Sequence, residues 1–196
     1  MVSYVSVTLL TQRVSRASLI KLIELTCDGE HRVQKLLALL PEEMEKWRLT
    51  DLPTIHNWVH SSGKMVIIGD AVHATLPYLA QGAAMAIEDA AVLGSALSHA
   101  TSVDDIPRLL QFFYRARVDR AHAIQRGSFT NRFFIHMRDE EMLAMRRDVF
   151  RAGDYPSSPN LMGNTVFQDW LYGYDAVADA ALRWEREKGA LIGSRL

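Results

Sequence analysis

Hydrophobic positions near the start of the chain recur at helical spacing. Between residues 17 and 40, leucine, isoleucine and valine return mostly every three or four positions, which puts them on one face of a helix. Pro41 ends the segment, and Cys27-Asp28-Gly29 could divide it into two helices. We therefore predict one helix or two here.

Four later segments also predict helices. Residues 82–97 are rich in alanine, and small residues allow a helix to pack closely on a sheet or ligand. Ser102 lies three residues before Asp105, the spacing of a helix cap, and Pro107 suits a first helical turn. The predicted helices are 82–97, 106–126, 131–152 and 175–188.

Short apolar runs between turn residues predict strands. Residues 64–70 form a run rich in β-branched residues after Ser61-Ser62-Gly63, which predicts a buried strand in a sheet covered on both faces. Residues 47–57 predict a short strand followed by a loop, because Pro53 interrupts them. Residues 71–81 and 155–160 are predicted as loops.

The amino-acid composition argues against some classes of binding partner. The 196 residues are 48% hydrophobic and 23% charged with a net charge of −1, so charge gives no reason to expect nucleic acid or an anionic membrane as partner. A single cysteine, Cys27, excludes an internal disulfide and a thiolate metal cluster. Without a signal-peptide or membrane-spanning pattern, we expect a cytoplasmic protein. The histidines show no metal-ligand spacing, so we expect no metal site.

The segment from Gly69 to Gly82 has the features of a ligand site. Asp70 follows the predicted buried strand, where a carboxylate is costly unless it finds partners, and the hydroxyls of a cofactor would serve. Gly69 lets a ligand approach the backbone. At Gln81-Gly82 a helix begins, and its free N–H groups favour negative charge.

This segment resembles the second FAD fingerprint of class A flavoprotein monooxygenases of the salicylate-hydroxylase kind. The resemblance lies in Val66-Ile67-Ile68-Gly69-Asp70 with Leu76-Pro77 and Gln81-Gly82, then Glu88-Asp89-Ala90. Further matches are the Tyr114, Arg117 and Arg120 helix, the approach through Trp47, Leu49, Asp51, Pro53 and Trp58, and the tail with Asp169-Trp170 and Gly173-Tyr174-Asp175.

The resemblance implies the C-terminal portion of an α/β, helix-rich, para-hydroxybenzoate-hydroxylase-like FAD-binding fold. It implies FAD as cofactor and NAD(P)H as co-substrate, used with O₂ to hydroxylate an aromatic or polyketide-type molecule in secondary metabolism. Asp70 would bond the ribityl chain, and the 77–82 loop would lie along the isoalloxazine. The implied FAD-binding residues are Gly69, Asp70, Ala71, Pro77, Gln81, Gly82 and Ala83. No catalytic residue is assigned.

One departure from the family leaves two functions open. The glycines never occur in a G-x-G-x-x-G pattern, the motif whose Rossmann βαβ unit binds the ADP half of FAD. We therefore expect a truncated monooxygenase. The alternative is a stand-alone remnant without redox activity, acting as a non-redox isomerase or cyclase or as a partner subunit. The apolar surfaces of such a remnant would need a partner or a homodimer to cover them. A nonfunctional fragment is the third possibility.

The expected organisation has four parts. These are an unassigned segment 1–16, a remnant of the substrate and FAD domain junction at 17–60, the FAD-binding segment with its helices at 61–126, and a helical tail at 127–196.

Plainer interpretations of single residues also stay open. Asp70 could be a turn or cap residue, and His73 is expected in the core or a loop rather than as a base. Glu88 and Asp89 could be ordinary polar helix residues. The arginines are expected on a solvated helix face, with binding to a nicotinamide phosphate as the alternative; these are Arg115, Arg117, Arg120 and Arg126.

Overall fold

The computed structural model describes residues 12–15, 18, 20–21, 31–46 and 49–193. The chain divides into two compact units, Met1–Leu49 and Thr50–Leu196. No helix in these described stretches has both the length and the apolar run that crossing a bilayer requires.

The described part of the first unit contains helical residues at 18 and 20–21, one further helix and a two-stranded sheet. Helix α1 is His31–Ala38, within the predicted 17–40 segment. Strand β1, Gln12–Ser15, pairs antiparallel with strand β2, Glu43–Lys46. The predicted break at Cys27–Gly29 lies outside the described residues.

The second unit is built from helices. Its helices are α2, Asp70–His73; α3, Gly82–Leu97; α4, Ile106–Ile135; α5, Glu140–Ala152; α6, Thr165–Tyr172; and α7, Ala176–Gly193. Helices α3, α4 and α7 pack against one another. Their shared core includes Met85, Val92, Phe113 and Ile124, all fully buried, with Trp58 beside them.

Helix α3 confirms the prediction for residues 82–97, and the Ser102 cap is also present. The Ser102 hydroxyl and the Asp105 carboxylate form a capping box around the 3-10 turn Val103–Asp105, which leads directly into α4. These local hydrogen bonds fix the start of α4 at the predicted residue.

The predicted break between the next two helices was wrong in position. Helix α4 continues to Ile135 rather than ending at residue 126, and α5 begins at Glu140 rather than at residue 131. Asp139 sets the new boundary, because its carboxylate accepts hydrogen bonds from the backbone N–H groups of Glu141 and Met142. Helix α6 was not predicted.

The predicted buried strand at residues 64–70 was also wrong. Only an isolated antiparallel bridge joins Val66 to Val59, and the side chains of Met65 and Ile67 are 63% and 41% exposed. A strand covered on both faces needs neighbouring strands on both sides, and among the described residues Val59 supplies the single bridge. The other strand was predicted within residues 47–57. Residues 47–48 lie outside the described residues, and residues 49–57 have no regular structure; strand β2 lies earlier, at Glu43–Lys46.

The loop predicted for residues 71–81 contains two short turns of helix. Helix α2 covers Asp70–His73, and a 3-10 turn covers Pro77–Leu79. Ala80 ends that turn with a left-handed backbone, at a φ of 53°. The chain therefore changes direction twice before α3 begins.

Candidate functional site

Most of the predicted cofactor-binding residues lie around one cavity of about 490 Å³. Its lining comprises Asp70, Thr75, Leu76, Pro77, Ala80, Gln81, Gly82, Ala83 and Ala86. Gly69 and Ala71, also predicted, flank Asp70 in the chain but do not line the cavity. The volume lies within the usual range for small-molecule pockets.

The N-terminus of α3 opens onto this cavity. Helix α3 begins at Gly82, and Gln81 makes no side-chain cap, so the first-turn N–H groups receive no side-chain acceptor there. Free N–H groups and the aligned peptide dipoles give a helix N-terminus partial positive charge. The cavity can therefore receive a negatively charged or carbonyl group at this point.

Asp70 brings negative charge to the same cavity. It begins α2 and is exposed, and its carboxylate makes no hydrogen bond or ion pair with any described residue. The expectation that Asp70 ends a buried strand was wrong, because the residues before it form only the Val59–Val66 bridge and Asp70 itself is exposed. The carboxylate nevertheless lies on the lining, free to accept hydrogen bonds from a ligand.

Asp89 binds the backbone at Gly69, the residue just before Asp70. This fully buried carboxylate accepts a 2.9 Å hydrogen bond from the Gly69 N–H and lies 2.7 Å from His73 Nε2. Arg117 Nε donates to its other oxygen at 2.9 Å. Since an ionised carboxylate only accepts, His73 donates this hydrogen bond through Nε2–H.

The environment of Asp89 keeps it ionised. Burial alone raises the pKa of this carboxyl, but hydrogen bonds from His73, Arg117 and Gly69 outweigh that effect and hold its pKa below the usual value. Burial likewise lowers the pKa of Arg117, while Asp89 and Glu88 raise it further than burial lowers it. Both groups are charged at neutral pH.

A second ion pair, between Arg120 and Glu88, links α4 to α3, and Arg120 also contacts the C-terminal part of the chain. Arg120 bonds both oxygens of Glu88 at 2.8 Å and also donates to the Leu171 carbonyl at 2.9 Å. Its guanidinium lies 3.9 Å from the Tyr174 ring centroid and 4.8 Å from that of Trp170, within cation–π range. Arg117 Nη1 lies 2.7 Å from Glu88.

These contacts correct the interpretation of the arginines as one solvated face. Arg117 is fully buried and Arg120 is 7% exposed, whereas Arg115 and Arg126 are exposed. Arg117 and Arg120 are therefore engaged with carboxylates and are not free to bind a nicotinamide phosphate.

The sequence contains a signal for this buried network. Arg117 and Arg120 continue the apolar stripe that Phe113 and Ile124 form at spacings of three and four. A charged residue inside such a stripe indicates a buried ion pair with a distant partner. Glu88 and Asp89 were likewise more than plain polar helix residues.

A larger open cavity, of about 580 Å³, lies along residues 57–67 beside the Val59–Val66 bridge. It contains neither the helix N-terminus nor Asp70. We therefore assign the candidate site to the smaller cavity.

Comparison with known proteins identifies the family. The profile of a family described as an FAD binding domain matches residues 30–128. The chain belongs to the class A FAD-dependent monooxygenases. The family's cofactor is FAD, so the comparison confirms the resemblance in the Gly69–Gly82 segment at the level of family and cofactor, while the roles of single residues stay predictions.

The relatives include fungal and bacterial enzymes. The chain is 37% identical over 142 residues to the FAD-dependent monooxygenase OpS4 of Beauveria bassiana, covering 70% of this chain and 33% of that protein. It is 32% identical over 136 residues to 3-hydroxybenzoate 6-hydroxylase of Polaromonas naphthalenivorans, covering 69% and 31%. The chain thus spans about a third of the length of these curated relatives.

Solved structures confirm the fold class. A salicylate hydroxylase substrate complex superposes with a TM-score of 0.70 at 24% identity, covering 93% of this chain and 40% of the other. Klebsiella pneumoniae HpxO, solved with FAD and uric acid, gives a TM-score of 0.57 at 26% identity, covering 69% and 34%.

Proposed function

We propose that the cavity bounded by Asp70 and the start of α3 binds the isoalloxazine and ribityl part of FAD. The protein to which the chain belongs would then act as an FAD-dependent monooxygenase that hydroxylates an aromatic or polyketide-type small molecule with NAD(P)H and O₂. One observation carries the proposal: an unpartnered carboxylate and an uncapped helix N-terminus line the same cavity.

The chemistry of the lining fits this part of the cofactor. The Asp70 carboxylate can accept hydrogen bonds from ribityl hydroxyls, and the α3 N-terminus can stabilise negative charge at flavin N1 and C2=O. Such a terminus contributes about 0.3–1 kcal/mol, up to about 2 kcal/mol in a partly buried site. Gly82, Ala83 and Ala86 present little side-chain bulk to a planar ring.

Bound FAD would supply the redox chemistry, and the residues of this chain bind and orient it. Asp70 is the one ionisable side chain among the described residues that line the cavity. Because its carboxylate can accept hydrogen bonds from ribityl hydroxyls, we assign Asp70 to binding rather than to catalysis.

FAD binding by the purified 196-residue protein tests the proposal. The readouts are the visible flavin spectrum and a titration of flavin fluorescence. Asp70→Asn keeps the shape but removes the charge, and losing a charged acceptor costs about 1.5–3 kcal/mol. The FAD Kd should therefore rise about 10- to 100-fold.

Asp104→Asn provides the matched control, because Asp104 is also an exposed aspartate at the start of a helical turn, Val103–Asp105. Its Kd should equal that of the unchanged protein. If the folded protein binds no FAD, this chain alone is not a monooxygenase, and the non-redox alternative becomes the hypothesis to test. If Asp70→Asn binds as tightly as the control, the assignment of Asp70 is wrong.

A further inference from the structure

The loop Ala74–Ala80, here called the pocket loop, is held by polar side chains of α4. Gln125 Nε2 donates to the Ala74 carbonyl at 3.1 Å, and Asn131 Nδ2 donates to the Tyr78 carbonyl at 3.0 Å. Between them, the Ser128 hydroxyl donates to the Leu76 carbonyl. Donors three residues apart on one helix therefore bind alternate carbonyl groups of the loop.

The burial of these side chains distinguishes them from ordinary surface polar residues. Ser128 and Asn131 are fully buried, and a buried polar group is costly unless it is hydrogen-bonded. The Asn131 amide oxygen also accepts from the Leu161 N–H at 3.3 Å. Both ends of this amide are therefore used, which fixes its orientation.

Close packing reinforces the attachment at the end of the loop. Leu79 is 1% exposed, and a Cβ added at Gly127 would lie 3.0 Å from Leu79 Cδ1. That distance is tighter than ordinary van der Waals contact, so glycine at this position lets the loop lie close to the helix. The hydrogen bonds and the packing therefore both attach the loop to α4.

The pocket loop also forms a wall of the cavity. Thr75, Leu76, Pro77 and Ala80 all line it. We propose that Gln125, Ser128 and Asn131 are positioning residues that set this wall for FAD. The inference rests on the proposed function, and none of the three side chains lines the cavity.

Variants of similar size separate the effect of losing each hydrogen bond from the effect of changing the side-chain volume. Gln125→Glu and Asn131→Asp replace a donor amide with an acceptor, whereas Ser128→Ala removes the hydroxyl. Thr130→Ala is the control, because Thr130 is exposed on the same helix. Should Asn131→Asp fail to fold, the double variant Gln125→Glu/Ser128→Ala carries the test.

Two readouts decide the matter. Amide hydrogen exchange followed by mass spectrometry should show about tenfold faster exchange in peptides covering residues 74–82, with α3 and α7 peptides unchanged. The FAD Kd of the fully folded variants should rise about tenfold. A purely structural role would accelerate exchange across the whole unit and leave the Kd of the folded fraction unchanged.

The outcomes are distinguishable. Unchanged exchange in the pocket loop, or faster exchange with an unchanged Kd, would overturn the inference. Absence of FAD binding by the unchanged protein would instead count against the proposed function, and with it against any role of the loop toward FAD. Local loosening together with weaker FAD binding, both absent from Thr130→Ala, would support the inference.

Discussion

Replacing Arg117 with methionine should destabilise the second unit strongly. The guanidinium is fully buried between two carboxylates, with Nε 2.9 Å from Asp89 and Nη1 2.7 Å from Glu88. Methionine keeps much of the apolar stem but removes the charge, which leaves Asp89 buried without its cationic partner.

Breaking a buried ion pair by removing one partner costs about 3–5 kcal/mol. Domains are commonly stable by about 5–15 kcal/mol, so Arg117→Met should lose a large share of the folding free energy. With an m-value of about 2 kcal/mol/M in urea, the midpoint should fall by about 1.5–2.5 M. Arg117→Lys keeps the charge but not the forked geometry, so its loss should be smaller.

Urea unfolding followed by tryptophan fluorescence measures the change, since Trp58 and Trp184 both lie in the core of this unit. Arg115→Met is the matched control, two residues away on the same helix. Arg115 also forms an ion pair, 2.6 Å from Glu187, but its side chain is 51% exposed. An exposed pair contributes at most about 1 kcal/mol.

The comparison between the two variants decides whether the reasoning holds. If Arg117→Met lost no more stability than Arg115→Met, the buried network would not be a main support of this unit. A loss of several kcal/mol confined to Arg117→Met would confirm that burial, rather than the presence of an ion pair, determines the cost.

Three further changes test neighbouring features. The pKa of Asp89 is lowered in the folded protein, so its charge stabilises the fold above about pH 4, and this contribution is lost as the pH falls further. In Asp89→Asn, the free energy of unfolding should therefore fall less steeply with decreasing pH, as measured by circular dichroism. Burial lowers the pKa of His122 below its ordinary value. The contribution of His122 to stability is therefore complete above about pH 6.5 and decreases as the pH falls below it. His122→Gln should remove this pH dependence of the free energy of unfolding. Gly69 has a φ of 61°, so Gly69→Ala should cost about 1–3 kcal/mol in urea unfolding.

Each of these changes has a contradicting result. An unchanged acid slope in Asp89→Asn would mean that another carboxyl dominates acid unfolding. A pH dependence that persists in His122→Gln would transfer the effect to another group. If Gly69→Ala were as stable as the unchanged protein, the backbone there would have relaxed to a negative φ.

The sequence alone determined the locally encoded parts of this protein. Alanine-rich composition set α3, and the Ser102 capping box set the start of α4, because such signals act within a few residues. The Gly69–Gly82 segment indicated the family and the cofactor, and most of its predicted site residues do surround one cavity.

The tertiary structure decided what depends on distant partners. Asp89 and Arg117 lie 28 residues apart in the chain and meet only when α3 packs on α4, which turns two ordinary polar residues into a buried pair. The pattern around Met65 and Ile67 predicts a buried strand, yet among the described residues that segment pairs only through the single bridge to Val59. Burial and pairing are properties of the neighbours that a residue meets in the fold, and local periodicity does not name those neighbours.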